Sequence, residues 1–89
     1  MDGYVLELSN NKYYVGISDN IDVRLDSHFK NKGSKWSQLH KPIRVVERFI
    51  GSKDSEREFT LKYMREYGWQ NVRGGGWTAV NMRTPIPFR

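Results

Sequence analysis

Eighty-nine residues without a cysteine exclude disulfides and thiolate metal sites, and no apolar run approaches the ~20 residues that a membrane-crossing helix needs. With a net charge of +5 and 13% aromatic residues, a few large rings must fill the core of one small domain. The expected organisation is one domain over residues 1–89, with a core of about 3–76 and a loop or tail over 77–89. No signal-peptide h-region opens the chain, so the expected location is cytoplasmic, away from membranes.

The charge is unevenly spread. Residues 1–29 carry two basic and five acidic side chains, whereas residues 30–53 carry seven basic ones, Lys30, Lys32, Lys35 and Lys41 among them, against Glu47 alone. This middle segment also holds Trp36 and has the make-up of a phosphate-backbone contact surface; a solvated lysine-rich loop would have the same composition.

Tyr4 to Leu8 alternates and is rich in strand formers, Ser9-Asn10-Asn11 supplies a turn, and Lys12 to Ile17 is a second β-rich run, so a hairpin is predicted. Ser18-Asp19-Asn20 then offers N-cap side chains to a helix whose apolar stripe is Ile21, Leu25 and Phe29, ending at Asn31-Lys32-Gly33-Ser34. Arg24 and His28, one turn apart, flank that stripe and should emerge at its margin. A helical turn over Lys35 to His40 stops before Pro42, and Ile43 to Ile50 reads as a third strand. After Gly51, Ser52 or Asp54 caps a second long helix running to about Tyr67, with Gly68 as its C-cap. The rest reads as loop, with a short strand or turn near Trp77 to Val80. The order β-β-α-β-α predicts an α+β fold: a small three-stranded, mainly antiparallel sheet flanked by helices.

Two carboxylates on the second long helix compete for a functional role. Glu58 stands three residues after Ser55, a capping-box spacing that would give it a structural task. Glu56 has Phe59, Thr60 and Tyr63 at +3, +4 and +7, which places it on the packed face, where a carboxylate is costly unless paired or bound to a cation. Gly74-Gly75-Gly76 lacks the lysine and hydroxyl residue of a P-loop, and His28 and His40 have no companions at zinc-ligand spacing.

Lys12-Tyr13-Tyr14-Val15-Gly16 resembles the Tyr-Ile-Gly element of the GIY-YIG nuclease family. Tyr4, behind Asp2-Gly3, stands where that family has Gly-Ile-Tyr and keeps only the tyrosine. Taken alone, two tyrosines in a hairpin are explained by cross-strand packing. The family also has an arginine on the following helix, matched by Arg24, and in some members a histidine one turn later, matched by His28. One helix glutamate followed by the same apolar residues favours Glu56 over Glu58, and the asparagine after the helix is matched by Asn71. Gly33-Ser34-Lys35-Trp36 with Leu39-His40-Lys41-Pro42 resembles compact bacterial members; Tyr67 to Gly75 resembles stand-alone viral and microbial ones. The likeness runs from about Tyr4 to Gly76.

The resemblance implies an endonuclease that cuts DNA phosphodiesters with Mg²⁺ or Mn²⁺ held by Glu56, with Glu58 as second choice, in DNA repair or recombination. It implies that Tyr4 helps deprotonate water, Arg24 meets the phosphate oxygens and His28 orients Tyr4 or relays its proton, while Tyr14 and Asn71 position. Lys30, Lys32, Lys35, Trp36, Lys41 and Arg73 would contact DNA, and a protein partner or homodimer would supply any strong specificity. The competing readings are a DNA-binding module without turnover and a basic protein-interaction domain.

Overall fold

The computed structural model describes residues 1–75. Strand β1 (Asp2–Leu8) turns through Ser9–Asn11 into β2 (Lys12–Ser18), and the two pair antiparallel, with Tyr4 opposite Gly16 and Leu6 opposite Tyr14. Asn10 and Asn11 take the turn at φ 63° and 59°, a left-handed region that asparagine tolerates better than most side chains. Helix α1 (Ile21–Phe29) starts on Asn20, whose side chain accepts the Val23 N–H at 3.3 Å. A short helix, α2 (Lys35–Leu39), and strand β3 (Pro42–Ile50) lead to helix α3 (Lys53–Tyr67), a turn at Trp69–Asn71 and strand β4 (Val72–Gly74).

The α+β class holds, but the sheet has four strands in the order β3-β1-β2-β4 and is mixed, because β4 runs parallel to β2. The expectation of three mainly antiparallel strands is corrected here. β4 is three residues long and leads into Gly75, so it carries no alternation for a sequence reading to detect. Its register makes it a strand: Val72 lies opposite Tyr13 and Gly74 opposite Val15. The strand or turn expected near Trp77 to Val80 lies outside the described residues.

Alternation along β1 sends Tyr4, Leu6 and Leu8 to one face and Val5 to the other. The first group packs with Tyr14 against Ile21, Leu25 and Trp36 from α1 and α2. On the second face, Val5, Val15 and Val72 pack with Tyr63 and Met64 of α3, making the sheet the middle of three layers. Leu6, Leu8, Val5 and Val15 are wholly buried, and each contributes about 1.5–3 kcal/mol relative to exposure. Ring stacks fix α3 at its middle and at its C-terminal end, Phe49 on Phe59 at 4.0 Å and Tyr13 on Tyr67 at 4.4 Å between centroids.

Two local expectations change. The buried face of α1 is Ile21, Leu25 and His28, while Phe29 is 48% exposed. At about 100° per residue, position 28 returns to within about 20° of position 21, whereas position 29 lies about 80° away, so the histidine takes the place given to the phenylalanine. On α3 the capping box is Ser52 with Ser55, not Ser55 with Glu58, and Glu58 is exposed.

Candidate active site

The site gathers where β1 begins and β2 ends, the same end at which α1 and α3 start. Tyr4 reaches across β2 there. A Cβ on Gly16, its cross-strand partner, would lie 2.5 Å from the Tyr4 hydroxyl oxygen, so the ring needs a glycine opposite it. From the last turn of α1, His28 places Nε2 2.9 Å from Tyr4 Oη, and its other nitrogen, Nδ1, lies 2.8 Å from Ser37 Oγ of α2. The rings of Tyr4 and Tyr14 flank the imidazole at centroid distances of 5.6 and 5.1 Å. Gly33 lies flush against it: a Cβ there would stand 2.2 Å from His28 Nδ1. One turn earlier on α1, Arg24 stands close enough for its charge to be felt at Tyr4 and at His28.

Burial dominates the electrostatics. It pushes the Tyr4 phenol up to about 12, helped by Tyr14 and Glu56 and partly offset by Arg24. Burial, then the charge of Arg24, pushes His28 down to about 4, so the imidazole is neutral at physiological pH. Burial disfavours the Arg24 cation, but its contacts with the two tyrosines outweigh this and raise its pKa. Burial likewise raises Glu56.

Glu56 sits in the first turn of α3, half-buried, and its carboxylate has no hydrogen-bond or ion-pair partner among the described residues. No three His, Cys, Asp or Glu side chains converge among those residues, so the donor set here is one carboxylate. That set fits a magnesium-type ion, which keeps several waters and binds through one or two carboxylates and a substrate phosphate.

Of the residues singled out in the sequence, Tyr4, Tyr14, Arg24 and His28 come together, with Glu56 close enough for its charge to be felt at Tyr4. Asn71 does not join them. It accepts from Lys12 Nζ at 2.6 Å and donates to the Tyr67 carbonyl at 2.7 Å, clasping α3 to the far end of β2. Trp36 and Arg73, expected on a DNA-facing surface, are interior at 4% and 2% exposure. The Trp36 indole donates to the Tyr13 carbonyl at 3.0 Å, and the Arg73 guanidinium stacks over its ring at 4.2 Å while donating to the carbonyls of Trp69 and Val72. An apolar ring and a flat cation cover each other there, which removes both from solvent.

Lys30, Lys32, Lys35 and Lys41 are exposed, and Lys30 pairs with Asp26 at 3.0 Å. Lys30 and Lys41 line a cleft of about 300 Å³ beside His28, which none of Tyr4, Tyr14, Arg24 or Glu56 lines. The residue that sequence reasoning missed is Ser37. Its signal was the Ser34-to-Ser37 spacing of a helix N-cap, which gives no hint of the histidine it touches.

Residues 4–76 match the model of the GIY-YIG catalytic domain. The chain is similar to UPF0213 protein SH2523 of Staphylococcus haemolyticus, with 29% identity over 62 residues, covering 66% of this chain and 76% of that protein. It is also similar to a UPF0213 protein of Staphylococcus aureus strain Mu3, with 25% identity over 67 residues, covering 71% of this chain and 82% of that one. No solved structure gives a significant match.

Proposed function

Because the chain belongs to the GIY-YIG family, and so carries a nuclease-type domain, we propose that it is an endonuclease hydrolysing DNA phosphodiester bonds with Mg²⁺ or Mn²⁺. The observation that carries this reading is the hydrogen bond between Tyr4, from a strand, and His28, from a helix, at 2.9 Å, with the charge of Arg24 close by.

Hydrolysis of a phosphodiester needs a deprotonated water and a way to bear charge that grows on the phosphoryl oxygens. With its phenol pushed up to about 12, Tyr4 is not a standing phenolate at neutral pH. It acts as a relay: Tyr4 Oη takes a proton from the attacking water while its own proton passes to His28 Nε2, 2.9 Å away. The oxygen of that water bonds to phosphorus as the bond to the 3′-oxygen breaks. Arg24 pairs with two non-bridging oxygens, a fork that fits them and that lysine lacks. As a phosphate takes up the Arg24 charge, one of the two causes that hold His28 down weakens, which favours proton arrival there. Tyr14 packs on the imidazole and positions it. Glu56 would hold the divalent cation, which when bound would supply Lewis-acid stabilisation of the leaving oxygen. Lys30, Lys32, Lys35 and Lys41 hold the DNA backbone alongside, without taking part in the chemistry.

The test is incubation with supercoiled plasmid and branched DNA, with and without Mg²⁺ or Mn²⁺, using Glu56→Ala and Glu58→Ala as paired variants. Expected is divalent-dependent nicking that Glu56→Ala abolishes and Glu58→Ala spares, with DNA affinity in EDTA unchanged. Loss with Glu58→Ala alone moves the ligand to that residue. Retention of DNA with no cleavage under any condition leaves a DNA-binding module.

A further inference from the structure

We infer that Ser37 is a positioning residue of the Tyr4–His28 pair: it fixes the neutral imidazole as its Nδ1–H tautomer and so turns a bare Nε2 toward the Tyr4 phenol. The effect on cleavage rests on the endonuclease reading; the tautomer does not.

The argument is a count of protons. A serine hydroxyl has one proton to give and two lone pairs to receive with. Ser37 Oγ stands 3.0 Å from the Ser34 carbonyl oxygen, which also takes the Gln38 N–H at 3.0 Å and has a second lone pair for the hydroxyl proton that such a close pair of oxygens needs between them. Ser34 Oγ donates to Ser37 Oγ at 3.2 Å and fills one lone pair. The second faces His28 Nδ1 at 2.8 Å, a hydrogen bond only if Nδ1 carries the hydrogen. A neutral imidazole has a single N–H, so Nε2 is bare and accepts the phenolic proton of Tyr4 across 2.9 Å. The opposite tautomer would leave Ser37 Oγ donating to the ring, with two acceptor oxygens 3.0 Å apart and no proton between them.

Burial makes the count binding. Ser37 and His28 are fully buried, so bulk water offers neither of them a substitute partner. Gly33 against Nδ1 and the two tyrosine rings also leave the imidazole no room to turn over. The consequence for the reaction is directional. With its proton committed to Nε2, the Tyr4 oxygen keeps its lone pairs free for Arg24 and for a proton arriving from water.

Long-range ¹H–¹⁵N correlation of the His28 ring, in metal-free labelled protein near neutral pH, reads the tautomer directly. Expected is a protonated Nδ1 and bare Nε2 in the wild-type protein and in Ser37→Thr, which keeps the hydroxyl, with a mixed or reversed ring in Ser37→Ala. Beside it, Mg²⁺-dependent single-turnover cleavage should fall roughly ten- to a hundred-fold in Ser37→Ala at unchanged DNA affinity, the range typical of a lost outer partner to a functional histidine, and recover in Ser37→Thr. A wild-type ring protonated at Nε2 overturns the inference without any variant, whatever the folding of Ser37→Ala. So does a folded Ser37→Ala that keeps the wild-type tautomer or rate. If the tautomer is as expected but wild-type protein cuts no DNA, the endonuclease reading fails while the hydrogen-bond assignment stands.

Discussion

Arg24 stands close enough for its charge to be felt at Tyr4, and in the proposed reaction its guanidinium would meet the phosphate oxygens. An interaction that matures only as charge develops acts on rate rather than on affinity. Arg24→Lys, which keeps charge but loses the planar fork, should lower single-turnover cleavage about 10²–10³-fold with little change in DNA binding. Equal losses in rate and affinity would make Arg24 a backbone clamp. His28 carries a second consequence. Its folded value of about 4 lies below the ~6.5 of an unfolded chain, so the unfolded state binds the proton more readily. Burial of this histidine leaves stability undiminished above about pH 6.5 and erodes it as pH falls toward 4, by at most about 3 kcal/mol. Urea unfolding of His28→Gln should lack that part of the acid slope; an unchanged slope would mean His28 titrates normally.

The elements that build the site were legible wherever a long periodic run specified them. The hairpin, α1 and α3 appear close to their expected limits, since alternation, turn asparagines and serine caps are local signals. β4 was not, because three residues cannot show a period and its strand character comes from β2 alongside. Two side chains expected on a DNA-facing surface lie inside instead. Trp36 and Arg73 look like a nucleic-acid surface by composition, but which way a ring on a five-residue helix points is decided by the sheet it meets. Trp36→Ala should cost about 3–5 kcal/mol in thermal or denaturant unfolding, as for other buried tryptophans. Under conditions where the variant is folded, the salt dependence of DNA binding should stay at the wild-type value. A flattened slope would return Trp36 to the DNA surface.

For the molecule as a whole, the basic residues of 30–53 that remain exposed set the expected footprint on DNA. Each phosphate neutralised contributes about −0.9 to the slope of log affinity against log salt on duplex DNA. Replacing Lys32 and Lys35 together with alanine should flatten the slope by about one to two units; Lys30, already paired with Asp26, should matter less. No change in slope would move the DNA surface elsewhere. The parallel placement of β4 bears on how the molecule reaches this form. Leu8 and Lys12 pair across a tight turn, whereas Lys12 and Asn71, bonded at the other edge of β2, are 59 positions apart. Closing the longer loop costs more chain entropy before any contact repays it, so the β2–β4 edge should dock after the hairpin and α1. Val72→Ala should then speed unfolding and leave refolding close to wild type on both arms of a chevron, and a refolding rate that takes the whole loss would reverse the order. Tyr4 and His28 belong to that hairpin and to α1, so their hydrogen bond should form before Arg73 closes over Trp36 and the last edge of the sheet is laid down.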